Sequence, residues 1–398
     1  MNLKYEYIIT GRRSSFFAQD IEANSAELLN VIKGSRIAVV GAAGSIGSWV
    51  VKTLLRFEPE AISLVDISEN NLVELVRDLR SSKNVKVPKD FKTMPIGLGS
   101  IEFDRYFAET ERFDFFFNLS AVKHVRSEKD IYCLMRMLDT NVLSLNDFLE
   151  QMPYRFSKAF SVSSDKAANP ANMMGASKMV MEQVLMKYSD QQPFSTARFA
   201  NVAFSDGSLP HGFHERLNKM QPLSAPRDVK RYFISHQEAG ELCVLSAALG
   251  SNRDVFFPKL SSGEDEKTFS QIAVDLLHEM GLEPVECSSE EEAKAKVEEF
   301  APQGKWPCYF FNTDTTGEKG YEEFYTEAED LDTERFQNVG VIMRDKFSGE
   351  DALEEFLDFA RAAKTNPNIT KTDYVKAMIK AVPTLKHSET GKNLDQKM

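Results

Sequence analysis

Short apolar runs alternate with amphipathic stretches between residue 36 and about residue 200, and each pair predicts a strand followed by a helix. The predicted strands cover residues 36–40, 61–66, 92–96, 113–119, 158–163 and 194–199. The predicted helices cover residues 45–57, 69–82, 101–109, 128–150 and 174–188. Because strands that alternate with helices form a parallel sheet covered on both faces, the pattern predicts an α/β fold with a doubly wound parallel sheet.

A glycine-rich turn follows the first predicted strand and reads Gly41-Ala42-Ala43-Gly44-Ser45-Ile46-Gly47. Gly41 permits a tight turn, Gly44 lets the backbone approach a pyrophosphate, and Gly47 lets the helix pack close to the strand. The amides of Ser45 and Ile46, at the start of the helix, would point at a phosphate group. A strand, a glycine turn and a helix in this order are typical of a Rossmann-type dinucleotide-binding domain.

Asp66 ends the second predicted strand, about 20 residues after the glycines. A carboxylate at this place accepts hydrogen bonds from the adenosine ribose of NAD and repels the 2′-phosphate of NADP. The sequence therefore predicts NAD as the cofactor. Glycines without the strand, the helix and the carboxylate would indicate only a turn.

The regular rhythm ends after Val202, where loop residues appear and a single further strand is predicted at 254–260. We therefore expect a smaller substrate-binding domain on the C-terminal side. The predicted regions are an N-terminal arm and helix (1–34), the NAD-binding Rossmann domain (35–205, with 232–260 returning to it), the substrate-binding domain (206–231 and 261–345) and a C-terminal helical extension and tail (346–398).

The net charge of −12 and the absence of a basic run argue against general nucleic-acid binding and against attachment to an anionic membrane. No stretch approaches about 18 uninterrupted apolar residues, and the first residues lack the apolar centre of a signal peptide, so we expect no membrane insertion and a cytoplasmic location. The four cysteines show no CxxC spacing, and His211 and His214 have no evident third ligand. No metal site is predicted.

Ser164, Asp165 and Lys166 directly follow the predicted strand 158–163, and Lys178 lies on the helix after it. A hydroxyl, a carboxylate and an amine at the carboxyl end of a strand would lie beside the cofactor and could transfer protons. Lys178 could hydrogen-bond the nicotinamide ribose and favour a deprotonated oxygen nearby. Taken alone, such a triplet is more often a solvated turn with an ion pair.

Seven stretches between residues 36 and 238 resemble the extended short-chain dehydrogenase/reductases, and specifically the branch of UDP-N-acetylglucosamine 4,6-dehydratases. The stretches are 41–47, Ala121-Val122-Lys123-His124-Val125, Thr140-Asn141-Val142-Leu143, Ser164-Asp165-Lys166-Ala167-Ala168-Asn169-Pro170, Met174-Gly175-Ala176-Ser177-Lys178, Arg198-Phe199-Ala200-Asn201-Val202 and Arg231-Tyr232-Phe233. The resemblance covers about half of the chain. It implies a homo-oligomer, a dimer or a hexamer, assembled through the helices that flank the active site.

The resemblance also implies a reaction and a role for each matching residue. NAD oxidises the sugar at C4, Lys166 removes the proton at C5, Asp165 donates a proton to the departing C6 hydroxyl, and the hydride returns to C6. Asp165 would have to be protonated, and Lys166 would have to be neutral part of the time, which burial and the nearby Lys178 would favour. Ser120 and Ala121 would border the cofactor. Lys123, His124, Asn201 and Arg231 would bind the UDP-sugar, with the Arg231 guanidinium suited to the diphosphate.

Three positions depart from the pattern of the family. Met174 stands where the superfamily usually carries its acid–base tyrosine, so the group that deprotonates the C4 hydroxyl is open among Ser164, Lys166 and Lys178 acting through a water. Leu98 stands where relatives usually carry an aspartate that contacts the adenine. Asp206 stands where many relatives carry an arginine, which removes an expected phosphate contact.

Two other functions fit part of the sequence. A UDP-hexose or UDP-hexosamine 4-epimerase of the same superfamily needs no acid for C6, and typical epimerases lack the Asp165-Lys166 pair. A protein that binds NAD and a nucleotide sugar without turnover is suggested by Met174, which has no proton to exchange. The sequence favours the dehydratase because Asp165 and Lys166 are both present.

Overall fold

A computed structural model describes residues 5–152, 155–263, 265–313 and 322–388 of the protein. The strands are β1 (Arg36–Val40), β2 (Ala61–Val65), β3 (Asp90–Met94), β4 (Phe113–Asn118), β5 (Phe156–Ser164), β6 (Phe194–Phe199), β7 (Asn201–Val202), β8 (Leu223–Pro226), β9 (Lys230–Ile234), β10 (Val255–Pro258), β11 (Glu266–Thr268), β12 (Glu283–Glu286), β13 (Lys305–Phe311), β14 (Asp330–Asp332) and β15 (Val339–Met343).

The helices of the described residues flank these strands or follow them. They are α1 (Glu6–Thr10), α2 (Ala18–Ala23), α3 (Ser25–Ile32), α4 (Ser45–Leu55), α5 (Glu69–Ser81), α6 (Ile101–Glu109), α7 (Ile131–Leu138), α8 (Ser144–Gln151), α9 (Met173–Tyr188), α10 (Leu209–Asn218), α11 (His236–Leu249), α12 (Phe269–Glu279), α13 (Glu290–Ala295), α14 (Val297–Phe300), α15 (Glu350–Ala363) and α16 (Lys371–Ala381).

The large sheet has the strand order β14-β15-β10-β6-β5-β4-β1-β2-β3. The strands from β10 to β3 run parallel, and β15 and β14 continue the sheet in antiparallel pairing. The chain moves outward from β1 to β2 and β3, and then crosses to β4 on the other side of β1. The predicted doubly wound α/β fold is therefore confirmed, and the crevice between β1 and β4 is the place where such sheets bind ligands.

The predicted strands and helices agree with the structure within a few residues, with one exception. The predicted helix 128–150 is divided into α7 and α8 by a π-helical segment, Asp139–Leu143. A π-helical turn inserts one extra residue into the helix and redirects the side chains beside it. Here the redirected residue is Asn141, which is 1% exposed.

A second, smaller core lies outside the large sheet. Two three-stranded sheets, β12-β13-β8 and β11-β9-β7, pack with α1, α10 and α12 around apolar side chains that include Ile9, Phe213, Leu276 and Trp306. These elements come mainly from residues 206–231 and 261–313, which fall within the predicted substrate-binding domain. The predicted boundary at 345 differs from the structure, because β14 and β15 pair beside β10 in the large sheet.

The terminal regions pack against both cores. Residues of α2 and α3 join the large core, whereas Ile8 and Ile9 of α1 belong to the smaller one. The two C-terminal helices α15 and α16 contact α9 beside the large sheet. Within the described residues, none of the helices combines the length and the apolar character that a membrane span requires.

Candidate active site

The glycine-rich turn lies between β1 and α4, at the crevice of the large sheet. Gly41 has a φ angle of 76°, and a Cβ atom on it would lie 2.8 Å from the carbonyl carbon of Leu119. A Cβ atom on Gly47 would lie 2.0 Å from the carbonyl oxygen of Gly41, which no side chain can tolerate. At Gly44 a Cβ atom would come no closer than 3.5 Å to the carbonyl oxygen of Gly41, so the fold itself does not require this glycine.

Asp66 connects the end of β2 to the same turn. Its Oδ2 accepts a hydrogen bond from the Ala43 amide at 3.0 Å, and its Oδ1 accepts one from the Ser68 amide at 2.9 Å. The carboxylate therefore fixes the glycine turn against the second strand and remains half-buried at its edge. This position is compatible with the predicted contact to a ribose.

The loop after β4 carries Ser120, Ala121, Lys123 and His124 and faces the glycine turn. Asn141 holds this loop: its Oδ1 accepts the Val122 amide at 2.8 Å and its Nδ2 donates to the Val122 carbonyl at 3.0 Å. The same Nδ2 also donates to the Ser177 hydroxyl of α9 at 3.0 Å. In the sequence Asn141 is only one residue of the stretch Thr140-Asn141-Val142-Leu143, and its role becomes visible only in the folded chain.

Lys123 is exposed on this loop, while the His124 ring is half-buried. Burial, together with the cations Lys123 and Arg126, lowers the pKa of His124 below its ordinary value. The imidazole is therefore neutral at pH 7, and His124 can donate or accept a hydrogen bond but cannot pair with a phosphate as a cation.

Ser164, Asp165 and Lys166 form a connected group at the carboxyl end of β5. Asp165 is 2% exposed, and its Oδ1 accepts the Ser164 hydroxyl at 2.7 Å, the Lys166 amide at 2.9 Å and the Lys166 ammonium at 3.0 Å. The Lys166 Nζ also lies 3.4 Å from Oδ1 of Asn201. The structure thus brings together the four residues, three predicted as catalytic and one as substrate-binding.

The protonation state predicted for Lys166 is wrong for the protein without substrate. Burial lowers the pKa of Lys166, but the carboxylates of Asp165 and Glu322 outweigh burial and raise the pKa above its ordinary value. The ammonium of Lys166 lies 3.8 Å from Oε1 of Glu322. The lysine is therefore protonated at neutral pH, and Glu322, the second carboxylate, was not identified from the sequence.

The helix α9 passes close beneath this group. A Cβ atom on Gly175 would lie 2.4 Å from the carbonyl oxygen of Lys166, so the approach of the helix requires a glycine there. Met174 is 2% exposed and packs in the large core. The carbonyl of Met174 accepts the Ser177 hydroxyl at 2.7 Å. Met174 therefore supplies apolar packing at the position of the superfamily's usual tyrosine.

Lys178 lies on the same helix, buried to 4% exposure, and its Nζ donates to the carbonyl of Val162 at 2.9 Å. Burial lowers the pKa of Lys178 to about 8, and the Glu182 carboxylate one turn along opposes that effect. The ammonium is thus close to its point of titration near neutral pH. The Val162 contact holds the ammonium against β5, two residues before the end of the strand at Ser164.

Arg231 on β9 faces the Ser164-Asp165-Lys166 group from the smaller lobe. It is 5% exposed, its Nη1 donates to the Lys230 carbonyl at 2.7 Å, and its Nη2 lies 3.8 Å from Oε1 of Glu322. Asn201 and Arg231, the two residues predicted to bind substrate beyond the large sheet, therefore lie on the paired strands β7 and β9 near Lys166.

Asp206 contacts the cofactor turn. Its Oδ2 accepts the Ser45 hydroxyl at 3.0 Å, and its amide donates to the same Ser45 oxygen at 3.0 Å. The loop of the smaller lobe is thereby joined to the start of α4, where a phosphate was expected. The contact brings a carboxylate to the place where many relatives carry an arginine.

A buried charged cluster lies behind the site and was not identified from the sequence. Arg198 is fully buried and binds Glu182 through Nε at 3.1 Å and Nη2 at 3.0 Å, and Glu329 through Nη1 and Nη2 at 2.9 Å each. Arg344 completes it, 3.0 Å from Glu182. The Ser163 hydroxyl donates to Glu182 at 2.5 Å, so the cluster adjoins β5 next to the Ser164-Asp165-Lys166 group.

The predicted His211 and His214 pair lies on α10. His214 packs between the rings of Tyr5 and Phe204, with ring centroids at 5.4 Å and 5.0 Å. Burial lowers the pKa of His214. Among the residues that the structure describes, no group of three or more histidine, cysteine, aspartate or glutamate side chains is arranged to hold a metal ion.

Relatives with similar sequences include proteins of glycan synthesis. The chain is 30% identical over 324 residues to an uncharacterized membrane protein of Methanocaldococcus jannaschii, a match that covers 79% of this chain and 88% of the relative. It is 27% identical over 296 residues to the probable polysaccharide biosynthesis protein EpsC of Bacillus subtilis, with 70% of this chain and 48% of EpsC covered. The match thus spans about half the length of EpsC.

A third relative is the inverting UDP-N-acetylglucosamine 4,6-dehydratase of Campylobacter jejuni, 23% identical over 261 residues, which cover 63% of this chain and 74% of that enzyme.

Solved structures with a similar fold include Pen from Bacillus thuringiensis, with a TM-score of 0.64 and 19% identity over 82% of this chain and 98% of Pen. The UDP-N-acetylglucosamine 4-epimerase of Methanobrevibacter ruminantium has a TM-score of 0.55 and 15% identity, and the match covers 83% of this chain and all of that one (100%). Residues 37–344, which carry the glycine turn, the Ser164-Asp165-Lys166 group and the buried charged cluster, match the polysaccharide biosynthesis protein family, and the chain belongs to that family.

Proposed function

We propose that this protein is an NAD-dependent nucleotide-sugar 4,6-dehydratase, a lyase that converts UDP-N-acetylglucosamine into a UDP-4-keto-6-deoxy-N-acetylhexosamine. The observation that carries the proposal is the buried Asp165-Lys166 pair at the carboxyl end of β5, where the ammonium lies 3.0 Å from the carboxylate. Elimination of water across C5 and C6 needs a base for the C5 proton and an acid for the C6 hydroxyl. An adjacent amine and carboxyl can supply both.

The glycine turn and its surroundings fit a dinucleotide. The backbone at Gly44 is open to a pyrophosphate, α4 presents its N-terminal amides there, and Asp66 lies at the edge where the adenosine ribose would bind. Lys178 lies on the neighbouring helix, where it could contact the nicotinamide ribose. When bound, the nicotinamide supplies the oxidation at C4 and the reduction at C6, so the overall reaction needs no external oxidant.

The residues of the chain then act as bases, acids and anchors. Lys166 removes the C5 proton, whose acidity the neighbouring C4 carbonyl raises, and Asp165 gives a proton to the departing C6 hydroxyl, which leaves as water. Arg231 and Asn201 bind the diphosphate end of the substrate, and Lys123 and His124 border the site. Lys166, Ser164 and Lys178 through a water are the candidates for the group that accepts the proton of the C4 hydroxyl.

Lys166 must lose its proton before it can act as a base, although its pKa is raised in the protein without substrate. The hydrogen bond between Lys166 and Asp165 offers a route for this proton, which can move from the ammonium to the carboxylate. Its transfer to Asp165 leaves a neutral amine and a protonated carboxyl, which are the two forms that the elimination uses.

Proton NMR of UDP-N-acetylglucosamine incubated with the protein in heavy water tests the proposal. A new C6 methyl signal, with deuterium at C5, is expected whether NAD is carried by the purified protein or added. An unchanged spectrum with added NAD, and with other UDP-hexoses, would contradict it and favour a binding protein without turnover, which the buried Met174 would suit.

The second candidate function is a 4-epimerase, which the fold of the Methanobrevibacter enzyme supports. An epimerase would give a product that retains the C6 hydroxyl and has the opposite configuration at C4. The same NMR spectrum distinguishes this product from the 6-deoxy sugar.

A further inference from the structure

Glu322 lies buried between the two cations of the candidate site. Its side chain is 3% exposed, and Oε1 lies 3.8 Å from the Lys166 Nζ and 3.8 Å from the Arg231 Nη2. The one carboxylate oxygen therefore links a residue of the large sheet to a residue of the smaller lobe. At this distance, and out of water, opposite charges attract strongly.

The segment that carries Glu322 is fixed by contacts that do not involve the two cations. The next residue, Glu323, accepts a hydrogen bond from Nδ2 of Asn169 at 2.8 Å. The Phe324 carbonyl accepts one from the buried Arg198 at 2.9 Å, and the Phe324 ring lies 5.3 Å from that of Tyr232. Because these anchors hold the backbone, the position of the Glu322 carboxylate is set before any ligand binds.

Four groups face the Lys166 ammonium, each from a different element. Asp165 precedes it on the chain, Asn201 comes from β7, Arg231 comes from β9, and Glu322 comes from the segment before β14. The two carboxylates and the two cations balance in charge. Without Glu322, Asp165 would be the one anion among the three groups left around Lys166, and the repulsion between Lys166 and Arg231 would be less compensated.

We propose that Glu322 is a positioning residue for the dehydratase reaction, which holds the Lys166 ammonium and the Arg231 guanidinium in place before substrate binds. Its relevance to turnover rests on the function proposed above. Its effect on Lys166 rests on the geometry alone and can be measured without any turnover.

Competitive labelling of Lys166 with acetic anhydride, followed by mass spectrometry over a range of pH, measures that effect directly. In the Glu322→Gln variant we expect the pH of half-maximal labelling of Lys166 to fall by at least about 1 unit, because a neighbouring negative charge is removed. The matched control is Glu323→Gln, which removes a carboxylate one residue away that binds Asn169 instead. Unchanged labelling of Lys166 in Glu322→Gln would overturn the proposal.

The pH dependence of kcat/KM gives an independent readout. The limb that rises with pH reports loss of the proton from the base, so it should move to lower pH in Glu322→Gln and stay in place in Glu323→Gln. A purely structural role would reduce kcat without moving this limb, and that result would also overturn the proposal.

Thermal unfolding of each variant shows whether the substituted protein is still folded. If Glu322→Gln unfolds early, Glu322→Asp keeps the charge but draws it back by one methylene, and a smaller shift in the same direction is expected. Absence of turnover by the wild type with every UDP-sugar would refute the proposed function, whereas the labelling of Lys166 would still decide the role of Glu322.

Discussion

The chemistry of the site converges on one oxygen atom. Oδ1 of Asp165 accepts the Ser164 hydroxyl, the Lys166 amide and the Lys166 ammonium. Hydrogen bonds that converge in this way hold the carboxyl group beside the ammonium, so Oδ1 is the oxygen that would take the proton of Lys166 in the proposed reaction. The proposed base, Lys166, and the proposed acid, Asp165, are therefore directly hydrogen-bonded to each other, and removal of either should block a different proton transfer.

Lys166→Ala and Asp165→Asn separate the two proton transfers. Lys166→Ala should stop the incorporation of deuterium at C5 and lower the turnover number at least about 100-fold, because no base remains. Asp165→Asn should lower formation of the 6-deoxy product by a similar factor and still exchange the C5 proton slowly. Proton NMR in heavy water follows both events in one sample. Full elimination by either variant would contradict the roles assigned here.

Substitution by alanine should have different effects on protein stability at two glycines of the cofactor turn. Gly47→Ala places a Cβ atom 2.0 Å from the carbonyl oxygen of Gly41, so it should lower the free energy of unfolding by about 1–3 kcal/mol. Gly44→Ala meets only an ordinary contact at 3.5 Å and should fold normally but bind NAD more weakly. Chemical denaturation and titration with NAD check the pair. Equal loss of stability in both variants would show that Gly44 serves the fold and not a ligand.

The residues that could be predicted were those whose role depends only on their neighbours in the sequence. Gly41 and Gly47 follow from the turn between one strand and the next helix, and Asp165 and Lys166 from the end of a single strand. Glu322 could not be predicted, because its partners Lys166 and Arg231 are distant in sequence and only the folded chain unites them. The raised pKa of Lys166 in the protein without substrate could not be predicted for the same reason, because Glu322 is one of its causes.

At the scale of elements, two irregular features position the site. The π-helical segment Asp139–Leu143 turns Asn141 toward the loop that carries Lys123 and His124. The cluster of Arg198 and Glu182 with Glu329 and Arg344 links β6 and α9 to the segment of Glu322. Sequence periodicity predicted a continuous helix at 128–150, because period alone cannot show one extra residue in a turn.

Arg198→Met should destabilise the protein by about 3–5 kcal/mol, because it leaves the buried Glu182 and the partly buried Glu329 short of positive charge. Thermal unfolding measures this loss. The matched control is Arg105→Met, which breaks the exposed Arg105–Glu109 pair at 2.8 Å and should leave the stability almost unchanged. Similar effects of the two substitutions would contradict a supporting role for the cluster.

The same cluster predicts how stability depends on pH. Burial raises the pKa of Glu182, but Arg198 and Arg344 outweigh burial and lower the pKa to about 2, from an ordinary value of 4.5. A depressed carboxyl pKa stabilises the fold above the unfolded value, and this stabilisation disappears as pH falls from about 4.5 toward 2. Denaturation between pH 6 and pH 2 should show this loss in the wild type. A wild-type protein whose stability stayed constant over that range would contradict the prediction.

At the scale of the whole molecule, α9 is enclosed on all sides. The helix is buried over most of its length, and besides the sheet it contacts α15 and α16. Gln183 donates to the Ala381 carbonyl at 3.1 Å, and Lys187 pairs with Glu354. Sequence periodicity predicted the helix at 174–188. It could not show that residues about 170 to 200 positions later cover it, because these contacts join distant parts of the chain.

This cover bears on the oligomer that the sequence predicts. The expected assembly uses the helices that flank the site, and α15 and α16 lie on them: Arg361 binds Asp147 of α8 at 2.6 Å, and Lys364 binds Asp139 at 2.5 Å. The chain thus buries in itself part of the surface that a partner would use. The homo-oligomer remains a prediction, and removal of the cover tests it.

Deletion of residues 348–398 should expose the apolar side of α9, lower the unfolding temperature and produce self-association, because a large exposed apolar patch is unstable in water. Deletion of residues 389–398 alone is the control, since it keeps α15, α16 and the contacts described above. Size-exclusion chromatography with light scattering measures the mass of each form. If the longer deletion left mass and unfolding temperature equal to those of the full chain, α15 and α16 would not be the cover of α9. If the full chain were already an oligomer whose subunits met through α8 and α9, the partner would have to displace or share these two helices.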